Sequence, residues 1–408
     1  MNRIEKLIQA HCPDGVRFEK IGSFVGKVDK VDWSEIGSAL YVDLSSVDRQ
    51  TSKITETDKI TSQDAPSRAQ QLLVEGDVIF GTTRPLQGRR AFVSGFEGER
   101  LVASTGYSVL RVVNDSLDNR FLFHWLSSPA FLDHVEKWQQ GASYPAISNK
   151  NVQKALIPVP PLEVQREIVK VLDLFTELEA ELEAELEARR KQYEYYRDQL
   201  LGVGEAGVAK PLLLRDVVRS YSSGATPRAG SAKYYDEGTI PWLRTNQVRF
   251  NRIYDTDQYV TEAALEETSI KWVPENSVIV AISGATAGRV AVNKIPLTTN
   301  QHCLNLQIDP LVADYRFVMY WIAARCEDLK SRGRGARSDL NSDLILTFPI
   351  FLPPLERQKI IADVLDDFDA LVNDLSSGLP AEIAARRKQY EYYRDKLLSF
   401  EELEADAA

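Results

Sequence analysis

The 408-residue sequence has only three cysteines, four histidines and two methionines. Cys12, Cys303 and Cys326 are odd in number and far apart. They support neither a disulfide framework nor a zinc site, and are expected to be small buried hydrophobes in a reducing compartment. His11, His124, His134 and His302 fall in no HExxH or other close metal spacing, so no metal ligands are assigned. Long hydrophobic runs are missing as well. "SVIVAIS", among the longest, is far too short to span a bilayer, and "MNRIEKLIQAHCPDG" lacks the apolar stretch of a signal peptide. A cytoplasmic protein without membrane contact is expected.

Catalytic signatures are wanting too. No GxxxxGK[ST] phosphate loop and no Gly-x-Ser-x-Gly occurs. "GVGEAG" (Gly202–Gly207) satisfies GxGxxG, but it follows a helix pattern instead of a strand and is expected to be a linker. Adenine methyltransferases carry [N/D]PP[Y/F], whereas both Pro-Pro pairs here are followed by Leu-Glu. A binding protein with no catalytic residues and no cofactor of its own is the expectation.

The net charge of −10 argues against nucleic acid until its distribution is examined. Residues 1–157 carry 19 basic and 19 acidic side chains, and residues 207–350 carry 17 and 15. Residues 158–206 (6 basic, 12 acidic) and 351–408 (7 basic, 13 acidic) hold the whole excess. Two segments can therefore present basic faces despite the acidic total.

What is present is a repeat. "ARRKQYEYYRD" stands at Ala188–Asp198 and again at Ala385–Asp395. "VPPLEVQREIVKVLDLF" (Val159–Phe175) matches "LPPLERQKIIADVLDDF" (Leu352–Phe368), and "RFLFHWL" (Arg120–Leu126) matches "RFVMYWI" (Arg316–Ile322). "EGDVIFGTTRPLQGRRAFV" (Glu75–Val93) matches "ENSVIVAISGATAGRVAVN" (Glu275–Asn293), with Gly88/Gly288 and Arg89/Arg289 in register. Offsets of 193 to 200 residues indicate a domain duplication. The expected organisation is a first variable domain (1–157), a spacer helix (158–206), a second variable domain (207–350) and a second spacer helix (351–408).

Apolar residues at Ile168, Leu172, Phe175, Leu178, Leu182, Leu186, Tyr193, Tyr196 and Leu200 have coiled-coil spacing. The middle is "ELEA" three times over, Glu177–Ala188. The second copy begins alike (Ile360, Val364, Leu365, Phe368, Leu371, Val372, Leu375) but inserts "SSGLP" (Ser376–Pro380), where a break is predicted with Pro380 near the restart. The variable domains read as mixed α/β. Short strands are expected at Asp77–Phe80, Ala91–Val93, Val109–Val113, Ser277–Ile282, Val290–Val292 and Cys303–Ile308, with aromatic amphipathic helices at Asn119–Trp138 and Tyr315–Lys330.

Both variable domains carry polar, arginine-rich loops. Arg forks suit guanine, Asn and Gln suit adenine, and Ser, Thr and Lys suit phosphates. The first-domain candidates for DNA binding are Thr83, Arg84, Gln87, Arg89 and Arg90, with Lys137, Gln139, Gln140, Ser143, Tyr144 and Lys150. Those of the second are Thr226, Arg228, Lys233, Tyr234, Arg244, Asn246, Gln247, Thr286, Arg289, Asn300, Gln301, Arg332, Arg334, Arg337 and Ser338.

"PPLEVQREIVKVLD", "PPLERQKIIADVLD", the "RRKQYEYYRD" ends, the ELEA array, "CPDGVRFEKIG" (Cys12–Gly22) and "SSGATPRAGSAKYYDEGTIPWLRTNQV" (Ser222–Val248) resemble the specificity subunit of type I restriction–modification systems, the IC-like subgroup in particular. The resemblance covers essentially the whole chain. It implies an α+β fold of two target-recognition domains separated by long helices packed as an antiparallel coiled coil, a pseudo-twofold internal repeat. It also implies that each domain reads one half of a bipartite, asymmetric site on double-stranded DNA, and that the helices set the spacing and dock two modification subunits. Those subunits would hold S-adenosylmethionine and methylate adenine N6, and restriction subunits, using ATP and Mg, would join through them. Arg190, Lys191, Arg197, Arg387, Lys388 and Arg394 are the candidate partner contacts. Half-site centres one DNA turn apart, about 10 base pairs, leave a gap of roughly 6–7. A self-contained restriction or methyltransferase enzyme is disfavoured by the missing phosphate and PP[Y/F] loops. A purely structural coiled coil would leave two elaborate domains unexplained.

Overall fold

The computed structural model describes residues 3–202, 211–333, 339–373 and 377–403. The chain divides into two compact units, Met1–Glu185 with Ala381–Ala408, and Leu186–Pro380. Both divisions fall within spacer helices. The first spacer is one continuous helix, Leu162–Gly202, about 60 Å long at 1.5 Å per residue. Strong helix formers fill its ELEA array, and neither Gly nor Pro interrupts it before Gly202. The second spacer runs Leu355–Asn373 and resumes at Leu379–Leu397, with Pro380 in the first turn, where a missing N–H leaves no bond unmade. Residues 374–376, of which Ser376 begins the predicted break, lie outside the described residues, as do residues 203–207 of the GxGxxG match.

In the first unit the central strand Val78–Gly81 pairs antiparallel with Arg90–Phe92 and Tyr107–Leu110, placing Val78 opposite Phe92 and Leu110. The second unit repeats this. Val278–Ala281 lies between Val290–Asn293 and Cys303–Ile308, with Val278 opposite Val292 and Leu306. Both central strands are buried throughout, which explains their unbroken apolar runs. The turn before each strand needs a left-handed residue, Gly76 at φ 85° in one unit and Asn276 at φ 62° in the other. Each unit adds sheets of its own. The first has a four-stranded sheet ordered Asp58–Thr61, Ser38–Val42, Leu101–Ser104, Ala69–Leu73. The second extends its central sheet to five strands with Val218–Ser223 and Arg252–Ile253.

The two aromatic segments differ from the continuous helices expected. Asn119–Trp125 stops, and Pro129–Trp138 starts on Ser128, whose side chain accepts from Phe131 N–H. Pro129 cannot donate to a preceding turn, so the helix cannot run through it. In the second unit Arg325, at φ −118° and ψ 25°, separates Tyr315–Ala324 from Cys326–Ser331.

The same joint fixes domain to helix in both units. Buried Gln165 accepts from Asp118 N–H and donates to the carbonyls of Ser116 and Pro160. Buried Gln358 accepts from Asp314 N–H and donates to those of Val312 and Pro353. Trp125 Nε1 donates to Leu156 O, and Trp321 Nε1 to Pro349 O. Farther along, Asp173 accepts from His124 Nε2 at 2.8 Å and Arg120 at 3.1 Å. Asp366 accepts from Tyr320 Oη at 2.6 Å and Arg316 at 2.9 Å, and also bonds Arg252.

Each core is completed by the tail of the other copy's helix. The first unit's core takes Val164, Ile168 and Leu172 from the long helix, and Leu397 and Leu398 from the end of the split helix. The second unit's core takes Ile361 and Leu365 from the split helix, and Leu201 from the end of the long one. Full burial of each such leucine contributes about 1.5–3 kcal/mol. Within each unit the paired helix segments run antiparallel. Phe175 meets Tyr393 while Glu179 and Glu183 meet Arg387, and Phe368 meets Tyr193 and Tyr196. The seam departs from expectation in both spacers, and in the long helix Leu178 and Tyr196 are exposed. Ile361, Leu365 and Val372 are buried, whereas Ile360 (63% exposed), Val364 and Leu371 face outward, because a 3–4 spacing begun at Gln358 sets the inward stripe.

Candidate nucleic-acid interface

The first unit brings its two candidate loops together. Thr83 and Gln140 both bridge to Ala146, Ile147 N–H donates to Thr82 O, and Arg84 N–H donates to Pro145 O at 2.7 Å. Arg84 sits at φ 48°, ψ 55°, the left-handed region. Its guanidinium lies 4.9 Å above the ring of Tyr144, which is 73% exposed. A non-glycine residue there costs about 1–2 kcal/mol, and an exposed cation–π contact returns about 0.5–1. The pair alone does not offset the strain. At the equivalent position the second unit has Gly284, at φ 66°.

The remaining first-unit candidates divide by direction. Arg89 turns inward to donate to Leu44 O, and Arg90 lies 5.1 Å over Phe123 with its Nε buried. Gln139 also has a buried, unpartnered Oε1. Gln140, Ser143, Lys137 and Lys150 are exposed beside the paired loops, with Thr83 and Gln87 half-buried.

In the second unit an open cleft of about 810 Å³ gathers Thr226, Arg244, Asn300 and Gln301 from three loop segments. The Thr226 hydroxyl donates to Gln301 Oε1, while Gln301 Nε2 stands 3.2 Å from His302 Nε2. Asn300 is fixed from behind, its Oδ1 accepting from His302 N–H and the Cys303 thiol. Burial pushes that thiol up to about 12, so it stays protonated and serves as a donor. Lys233 and Tyr234 are held by Glu267, a carboxylate the sequence reading had not paired with them. Arg228 and Asn246 are exposed, and Gln247 has a buried, unpartnered Oε1. Thr286 and Arg289 lie on a separate loop, where Thr286 caps onto Ser283 O and Gly288 packs against Cys326. Arg332 lies over Phe348 and donates to Thr347 O. Arg334, Arg337 and Ser338 lie outside the described residues.

The helix-end candidates are not equivalent. Arg387 bonds Glu179 and Glu183 of the ELEA array. Its counterpart Arg190 is exposed and forms no ion pair among the described residues. Lys191 pairs with Glu187 at 2.7 Å, and Lys388 is exposed. Arg197 and Arg394 bond Asp198 and Asp395 beside them and lie 5.8 Å over Tyr193 and Tyr390.

Sequence reasoning missed the joint residues Gln165, Gln358, Asp173, Asp366, Arg120 and Arg316. Their signal was present, since all six lie within the segments that match between copies. It also missed His302, Gln258 and Tyr259 of the cleft. His302 directly follows the candidate Gln301.

Paired domains that present arginine, amide and aromatic side chains on adjoining loops, each braced by a shared helix, define a duplicated recognition protein. The profile of the type I restriction modification DNA specificity domain matches residues 43–188 and 210–385. The chain is 34% identical over 312 residues to the Escherichia coli type I restriction enzyme EcoR124I/EcoR124II specificity subunit, covering 72% of this chain and 74% of that one. Its fold is similar to a chain from a solved type I R-M system assembly (TM-score 0.67, 24% identity, 95% of this chain and 98% of that chain). It is also similar to the S subunit of a Mycoplasma genitalium type I system (TM-score 0.57, 14% identity, 94% and 96%). The chain belongs to the specificity-subunit family of type I restriction–modification systems, and its role is DNA recognition. Among the described residues, no helix is long and apolar enough to cross a membrane.

Proposed function

We propose that each unit reads one half of a bipartite, asymmetric DNA site, and that the helices set the gap between the halves. The observation that carries this reading is the repeated joint. Gln165 and Gln358 make the same three bonds, so one architecture is built twice with different loops. Identical supports with divergent loops suit two readers of different sequence. The paired loops around Arg84 and Tyr144 serve the first half-site, and the Arg244–Asn300–Gln301 cleft serves the second. Amide groups held by neighbouring polar groups, as those of Asn300 and Gln301 are, are pre-oriented for base edges.

The duplicated helix ends dock two adenine-N6 methyltransferase subunits through Arg190, Lys191, Arg387 and Lys388, and the outward Ile360, Val364 and Leu371 in the first segment of the split helix take part as well. This chain acts in the cytoplasm and carries out no chemistry. S-adenosylmethionine belongs to the methyltransferase subunits, and ATP and Mg to the restriction subunits that join through them. The test is a map of methylated adenines made by the complex carrying Arg244→Ala with Gln301→Ala. One half-site is expected to relax while the other is unchanged. Equal loss at both halves would overturn the assignment of one unit to one half-site.

A further inference from the structure

We infer that Arg84, seated on Tyr144, is the specificity-determining arginine of the first unit and offers its fork to a guanine in the half-site that unit reads. The inference rests on the DNA-reading role proposed above and goes further by naming the residue and the base. Three features converge on it. Arg84 has a left-handed backbone at a position where the repeat has Gly284, so an arginine stands where glycine would fit without strain. Strain of this kind persists where the side chain is needed and the surroundings hold it in place. Those surroundings are visible. Arg84 N–H is tied to Pro145 O, its carbonyl accepts from Gln87 N–H at 2.9 Å, and its guanidinium lies over the ring of the preceding residue of that loop, Tyr144. The loop itself needs Gly141, at φ 98°, because a Cβ there would lie 2.9 Å from Tyr144 O.

The second feature is orientation. Of the three arginines in "TTRPLQGRR", Arg89 is committed to Leu44 O and Arg90 to the face of Phe123. Arg84 alone of these is exposed, and it forms no ion pair among the described residues. Third, no hydrogen bond or ion pair among the described residues takes up the Arg84 guanidinium, which lies over an aromatic ring, so its N–H donors remain available. Two parallel donors in one plane match guanine O6 and N7. The second unit has no side chain at this position, so this element contributes to the difference between the half-sites.

The experiment uses the full chain in complex with its methyltransferase partner. Arg84→Gly removes both fork and strain, and Arg84→Lys keeps the charge without the fork. With Arg84→Gly, the unfolding midpoint should hold or rise. Discrimination at one G·C pair of one half-site should fall about tenfold or more, with the other half-site intact. Arg84→Lys should lose the same discrimination while retaining most of the affinity. Unchanged half-sites in both variants, or an even loss of affinity across all sequences, would overturn the inference and leave the reading of the units standing. A wild-type complex with no bipartite preference would overturn the reading itself.

Discussion

The ring of Phe175 lies 5.4 Å from that of Tyr393 and is nearly parallel to it, at 23°. Phe175 opens the long helix's acidic array, while Tyr393 belongs to the second copy of "ARRKQYEYYRD", yet both lie in the first unit. The second unit repeats the pair with Phe368 and Tyr196, 6.1 Å apart. The eleven residues therefore stand twice because each copy closes the unit built on the other recognition domain.

That exchange predicts a distant effect. Leu398→Ala should destabilise the first unit by about 2–5 kcal/mol, since Leu398 is buried in its core. Hydrogen exchange should rise in the strand Val78–Gly81, far away in sequence, and stay unchanged in Val278–Ala281.

Gln165→Leu keeps the bulk and removes three hydrogen bonds. It leaves Asp118 N–H buried without its acceptor, a cost of about 1–3 kcal/mol, beyond the two lost carbonyl bonds. Urea unfolding should show a lower midpoint with an unchanged slope. A midpoint equal to wild type would mean that the joint carries no load.

Acid should weaken the first unit through His124. Burial pushes the imidazole below its ordinary value, and Asp173 only partly offsets this. Burial opposes the charge of Asp173, but His124 and Arg120 outweigh it and hold its carboxyl below the usual range. The unfolded chain takes up the His124 proton near its ordinary 6.5, while the folded chain does so only at lower pH. Stability therefore falls as pH drops below that value and through the folded one. The Asp173 contribution, present above 3.8, is lost only at still lower pH. His124→Tyr, which copies Tyr320 of the other unit, should remove the first slope, and so should His124→Gln even at lower overall stability. Unfolding midpoints between about pH 5 and 7 test this.

The long helix, the break before Pro380 and the central strands were legible in the sequence, because each follows from local periodicity or from a residue that cannot continue a helix. The repeat was legible by direct comparison. The exchange of helix tails was not, since Leu201 and Leu398 have the same apolar character whichever core they enter. Nor could sequence separate Arg84 from Arg89 and Arg90. All three lie in one polar loop, and only the fold turns two of them inward. The outward Ile360 and Val364 were misread for a related reason, as two apolar stripes share one helix and spacing alone does not say which is buried.

The two helix ends should respond differently to charge reversal. Arg387→Glu faces Glu179 and Glu183 and should both lower the thermal midpoint and weaken methyltransferase binding. Arg190→Glu should weaken binding with the midpoint nearly unchanged. Titration calorimetry beside thermal unfolding separates the two effects, and equal midpoint losses would contradict the asymmetry.

Deletion of Glu181–Ala184, followed by mapping of methylated adenines, tests the central claim most directly. The array is tandem, so Glu185 and Glu187 move into the places of Glu181 and Glu183 and the local chemistry is kept. The helix loses about 6 Å, against about 3.4 Å per base pair of DNA. With helices oblique to the duplex, the account predicts both half-sites intact and a gap shorter by about one base pair. Altered half-sites at an unchanged gap would contradict it.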